Sequence, residues 1–217
     1  HCVTRRQRQM CIRDRLLPDL VNVGIIQRTF QNLLRERIPI KNLTIILETI
    51  ADMATLTKNP DDLSEQARKR LGMYFVKEYE VEPNKLLSLT FDPSLEQTLA
   101  SRVKRSQFDI GLVMDPMLTE GIIGEIEPKI KEMSEKGITP LIVTTSELRL
   151  AFRRFMEPSY PQLVVLAYQE LPSETKIEPF GAITLAGQSF PHEVLQAMDS
   201  ADMNPKDRSK EEMPVAV

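Results

Sequence analysis

No glycine-rich phosphate loop, no cluster of histidine and cysteine, and no apolar run of bilayer length occurs in these 217 residues. Each absence removes support for a class of function. Without glycines after a strand, backbone amides cannot approach a pyrophosphate closely, so dinucleotide and phosphate-loop sites lack their motif. With two histidines and two cysteines in the whole chain, a zinc site has no obvious donor set. His192 has no neighbouring His, Cys or carboxylate pair and reads as a plain surface histidine. A membrane helix needs about 20 predominantly apolar residues in a row, and no stretch approaches that length. No catalytic, cofactor-binding or metal-ligating residue is assigned.

The first fifteen residues, His1 to Arg15, are expected to be foreign to the fold. Arg5 to Arg15, RRQRQMCIRDR, is what a transposase-based sequencing adapter gives when translated in frame. Such a scar is set aside before physical reasoning begins, and the natural chain is expected to start upstream of Leu16. Both cysteines, Cys2 and Cys11, leave with it, as do five arginines and one aspartate. The remainder is more acidic than the formal −3 of the whole chain. That argues against general nucleic-acid binding, which requires a cationic face to displace counterions.

The pattern along the rest of the chain is that of a soluble globular protein, with 41% hydrophobic and 27% charged residues. Ile25, Ile26, Phe30, Leu33 and Leu34 recur at helical spacing, and Arg35-Glu36-Arg37 close that segment with charge. Pro39 cannot continue the helix. A second helix starts near Asn42, with Leu43, Ile46, Leu47 and Ile50 on one face. Asn59-Pro60-Asp61-Asp62 then supplies a cap, a first-turn proline and carboxylates at the positive helix end. Leu63, Ala67, Leu71, Tyr74 and Phe75 are the expected buried face of that third helix.

Glu78 to Lys85, EYEVEPNK, marks a change of character. Leu86 to Phe91 alternates like a strand, and Asp92-Pro93 starts a helix with Leu95, Leu99 and Val103 inward. Asp115-Pro116 starts another, which Pro128 should kink or split and Gly137 should end. Leu141 to Val143 and Leu163 to Ala167 read as buried strands around a helix capped by Ser146, a parallel βαβ unit. Phe180 to Leu185 reads as an edge strand. The fold class expected is α/β (α+β overall): a helical subdomain over 16–77, a small mixed-sheet α/β subdomain over 78–187, and a disordered polar tail over 188–217.

Two charged features call for weighing. Arg149, Arg153 and Arg154 lie on one helix opposite Phe152 and Phe155, which reads as a solvated face. Asp61 and Asp62 are adjacent and have an electrostatic role at a helix start already, so an acid–base pair is not assigned.

FQNLLRERIPIKNLTIILETIAD (Phe30 to Asp52), TKNPDDLSEQARKRLG (Thr57 to Gly72), SELRLAFRRF (Ser146 to Phe155) and PQLVVLAYQEL (Pro161 to Leu171) together resemble the cytoplasmic C-terminal region of the FlhA-type export-gate proteins of flagellar and injectisome type III secretion. The resemblance implies a fragment that begins within the third, ring-forming cytosolic subdomain and contains the fourth. It implies a non-enzymatic component of a protein-export gate, without cofactor, on the cytoplasmic face of the bacterial inner membrane. Implied partners are other copies in a ring, export chaperone–substrate complexes and the export ATPase complex, with membrane attachment through an N-terminal half not present here. Arg35, Glu36, Arg37 and Lys41, charged residues near a helix end, are the candidate ring-interface residues, since charge there sets register and partner choice. An injectisome gate protein, and a small nucleotide-binding α/β enzyme built on Leu141 to Ala167, are the alternatives.

Overall fold

A computed structural model describes residues 21–106 and 110–184. The expected scar over 1–15 and the expected tail over 188–217 lie outside the described residues. Three helices come first: α1 (Val23–Arg35), α2 (Leu43–Met53) and α3 (Pro60–Phe75). The Asn22 side chain accepts from the Gly24 amide at the start of α1, and Asn59 accepts from the Asp61 amide at the start of α3, satisfying donors that have no partner within the helix. α3 packs against both of the others.

The remaining elements are β1 (Lys85–Phe91), α4 (Pro93–Ser101), β2 (Val103–Arg105), β3 (Ile110–Leu112), α5 (Pro116–Glu135), β4 (Leu141–Thr144), α6 (Ser146–Met156), β5 (Val164–Ala167) and β6 (Lys176–Ile183). A four-stranded sheet runs in the order β5-β4-β1-β6, every neighbouring pair parallel. The βαβ unit is therefore present as β4-α6-β5. Antiparallel pairing among the described residues is confined to the short β2–β3 ladder and one isolated bridge. That ladder was not anticipated: Val103, expected on the inward face of α4, belongs to β2, because the helix ends at Ser101.

Three other expectations are corrected. Of the kink or split expected at Pro128, the split does not occur: α5 runs through as one helix. Tyr74 is exposed while Phe75 is buried, since α3 turns only one of these adjacent positions to the core. Ser146 does not cap α6; its hydroxyl has no hydrogen-bond partner among the described residues, and the Glu96 carboxylate from α4 accepts instead from the Thr144 hydroxyl (2.5 Å) and the Thr145 amide (2.8 Å).

The main core joins the helices to the sheet. Leu33, Ile46, Ile50, Leu63, Ala67 and Leu71 from the helices pack in one cluster with Leu86, Leu141, Val143 and Leu166 from three strands. Lys77, where a boundary is expected, lies in the 3-10 turn Val76–Tyr79, and Val76 in that turn belongs to the same cluster. Gly72 shows how close the approach is: a Cβ there would sit 1.9 Å from the carbonyl oxygen of Glu170, in the 3-10 turn Tyr168–Glu170 that follows β5.

Candidate functional site

Between the helices and the sheet lies a layer of charge. α6 is buried around most of its circumference, with Leu148, Arg149, Leu150, Ala151, Phe152, Arg153 and Met156 all covered. The solvated-face reading of its arginines is thereby corrected. Arg149 is 0% exposed, because the face opposite Phe152 meets the helical layer. A guanidinium taken out of water must be paired on all sides, and Arg149 is. It donates through Nε to Glu65 (2.6 Å), through Nη1 and Nη2 to both oxygens of Glu36 (2.6 and 3.1 Å), and through Nη2 again to Glu65. Arg68 donates to Glu170 through Nε and Nη2 (2.6 and 3.1 Å) and to Glu36 through Nη1 (2.9 Å). It also lies 5.3 Å above the Phe75 ring. Beside this network, Arg154 Nη2 donates to Asp61 at 2.6 Å, and Asn32 donates to the same carboxylate oxygen at 2.9 Å.

The electrostatics follow from the count of charges. Burial would raise the Glu36 carboxyl, yet the guanidiniums of Arg68 and Arg149 outweigh it and hold the group at about 2 against an ordinary 4.5. Glu65 moves the other way, because burial, joined by repulsion from Glu36, exceeds what Arg149 and Arg68 supply. Burial alone would lower Arg149, but Glu65, Glu36 and Glu170 push it well above its ordinary value. Every carboxylate in the network is held by an arginine, and arginine does not exchange protons near neutral pH. The arrangement locks elements together. It presents no nucleophile beside a base.

An open cleft of about 260 Å³ lies over this layer, lined by Arg35, Glu36, Arg37, Ile38, Arg153 and the stretch Pro161 to Leu166, among others. Three of the four candidate interface residues border it, and they differ. Arg35 is exposed and paired with Glu157 at 2.8 Å. Glu36 points inward to the network, so it is not the exposed charge expected of it. Arg37 is exposed, with a left-handed backbone (φ 59°). Lys41 is exposed and does not line the cleft. Among the described residues no group of three or more His, Cys, Asp or Glu side chains is arranged to hold a metal, and no helix is long and apolar enough to cross a membrane.

The sequence model of the FHIPEP family matches residues 3–176. The chain belongs to the FHIPEP family. Among relatives, the flagellar biosynthesis protein FlhA of Helicobacter pylori is 32% identical over 165 residues, which is 75% of this chain and 22% of that protein. The low calcium response locus protein D of Yersinia pestis is 30% identical over 173 residues, 78% and 25% of the two chains. FlhA of Bacillus subtilis is 26% identical over 79% of this chain and 25% of its own. The chain thus spans about a quarter of the length of the FHIPEP relatives it matches. Its fold is shared with the Chlamydia pneumoniae CdsV protein (TM-score 0.70, 24% identity, covering 84% of this chain and 55% of that one). The nonameric SctV-C structure from EPEC is similar too (TM-score 0.67, 20% identity, 83% and 57%).

The layer of arginine–glutamate pairs in this FHIPEP chain is not apparent from helical periodicity. A signal did exist: Glu36 just past one early helix and Glu65 within another have as possible partners three arginines on one later helix. Amphipathic reading assigns charge to solvent by default and so missed it.

Proposed function

We propose that this chain is part of the cytosolic region of a flagellar type III protein-export gate, acting as a docking and ring platform and not as an enzyme. Membership of the FHIPEP family carries the reading, with relatives named flagellar biosynthesis protein FlhA. The likeness to nonameric assemblies supports assembly into a ring, and a solved CdsV–CdsO complex supports docking of a partner on such a platform. Chaperone–substrate complexes and the export ATPase complex are the partners proposed for the whole protein. Placement at the cytoplasmic face of the inner membrane is proposed through a segment preceding this one. The divisions 16–77 and 78–187 are proposed as its third, partial, and fourth cytosolic subdomains, and His1 to Arg15 as an adapter scar that genomic sequence across the junction would replace. Arg35, Arg37 and Lys41 are proposed to face the neighbouring copy, with Glu36 acting from beneath.

Disruption of the gene in its own organism tests the function: cells are expected to lose external flagellar filaments. Intact filaments, with secretion of other type III substrates lost, would favour the injectisome reading, and intact secretion of both kinds would contradict the proposal. The nucleotide-binding alternative is opposed by Glu96, whose carboxylate already occupies the α6 N-terminus where a phosphate would sit. Calorimetric titration with nucleotide is expected to show no saturable heat.

A further inference from the structure

We propose that the cleft between the end of α1 and the start of β5 is a carboxylate-binding site, taking an acidic side chain of a partner polypeptide between Arg153 and Arg37. This goes beyond the export-gate reading and does not depend on it. Arg153 is only 7% exposed, and its Nη1 has no hydrogen-bond partner among the described residues. A buried charged donor without a partner is costly. Its other terminal nitrogen, Nη2, reaches the Pro161 carbonyl at 3.3 Å and stands 4.0 Å from Glu157, a carboxylate already engaged by Arg35 at 2.8 Å. Glu36, the acid on the cleft floor, is committed to Arg68 and Arg149. Arg153 is left as an incompletely neutralised cation beside an open space.

Arg37 supplies the second cation, and its backbone says that the side chain matters. α1 and α5 close with the same hydrogen-bond pattern: Ile38 N–H to the Leu33 carbonyl, and Ile138 N–H to the Met133 carbonyl, each at 2.9 Å. Such endings place one residue in the left-handed region, normally glycine. α5 uses Gly137 (φ 70°), whereas α1 uses Arg37 (φ 59°), which bears a steric cost that glycine avoids. Strain of this kind persists where the surrounding structure holds it in place, and it clusters at functional sites. No ion pair within the described residues engages Arg37, and Glu78 is the one further carboxylate on the cleft wall.

The two guanidiniums favour a single carboxylate over a polyanion. Exposed Pro161 and half-buried Val164 give the cleft an apolar wall suited to the stem of a glutamate and its neighbours, while the net negative charge of the chain repels nucleic acid and other long polyanions. Charge-assisted bonds from arginine to carboxylate also fix direction.

The test is a titration of the whole chain with acetyl-Leu-Glu-Leu-amide, its Leu-Gln-Leu counterpart and inorganic phosphate, read by the arginine Nε–Hε resonances. The glutamate peptide is expected to shift the Arg153 signal saturably, with the glutamine peptide and phosphate at least about tenfold weaker, the equivalent of one charge-assisted hydrogen bond. Arg153→Gln and Arg37→Gly should each weaken the glutamate peptide by a similar factor, while Lys41→Gln should leave it unchanged. Arg37→Gly keeps the test open should Arg153→Gln fail to fold. Equal binding of both peptides, tighter binding of phosphate, or absence of any saturable shift would each overturn the proposal.

Discussion

Arg149 is the residue on which most of the internal electrostatics converge. Removing one member of a buried ion network leaves the others unpaired in a poorly solvated place, at a cost of about 3–5 kcal/mol. Arg149→Met is therefore expected to destabilise the chain by that amount in urea denaturation, far more than the same change at exposed Arg70, whose pair with Asp52 is open to solvent on both sides. The acid limb carries a second prediction. Glu36 sits at about 2 in the folded chain against an ordinary 4.5, so its contribution is complete above pH 4.5 and is lost as pH falls towards 2. That contribution is roughly 3 kcal/mol. Glu36→Gln should lower stability at neutral pH and flatten its decline across the same window, as read from denaturation midpoints at a series of pH values. Arg37→Gly has the opposite sign, with an expected gain of about 1 kcal/mol from relieved left-handed strain, together with the loss of peptide binding described above.

At the scale of elements, the closeness of α3 to the turn after β5 gives a prediction against intrinsic propensity. Alanine is a better helix former than glycine by about 1 kcal/mol, yet Gly72→Ala would drive a methyl into the Glu170 carbonyl. The substitution is expected to destabilise by about 1–3 kcal/mol, the range for overpacking, and to lower the thermal midpoint. The elements themselves were mostly legible. Asn-Pro and Asp-Pro starts locate the beginnings of α3, α4 and α5, and the Pro39 break and the Gly137 stop the ends of α1 and α5, since each is a local backbone constraint. The β2–β3 ladder was missed because three-residue strands carry too little alternation to register. The arginine face of α6 was misread for a different reason: its partners Glu36 and Glu65 lie far away in sequence, and amphipathicity is measured within one helix at a time. Glu96 as the acceptor at the α6 N-terminus is hidden in the same way, for it comes from α4.

For the whole molecule, the consequence is mechanical unity over the described residues. The core cluster draws on α1 to α3 and on β1, β4 and β5 together, and the charge network stitches the same two layers. Circular dichroism of the helices and hydrogen exchange in β1 and β4 are accordingly expected to report one cooperative transition; separate midpoints would show that the layers fold independently. Such rigidity would suit the docking platform proposed above, because surfaces on a rigid body keep fixed positions relative to one another. The most direct test of the account is the mass of the complete cytosolic region of this gene product, measured by sedimentation over rising concentration. A closed ring of many copies is predicted, weakened by reversal of charge at Arg35 and Lys41. A strict monomer at every concentration, unchanged by those substitutions, would contradict it.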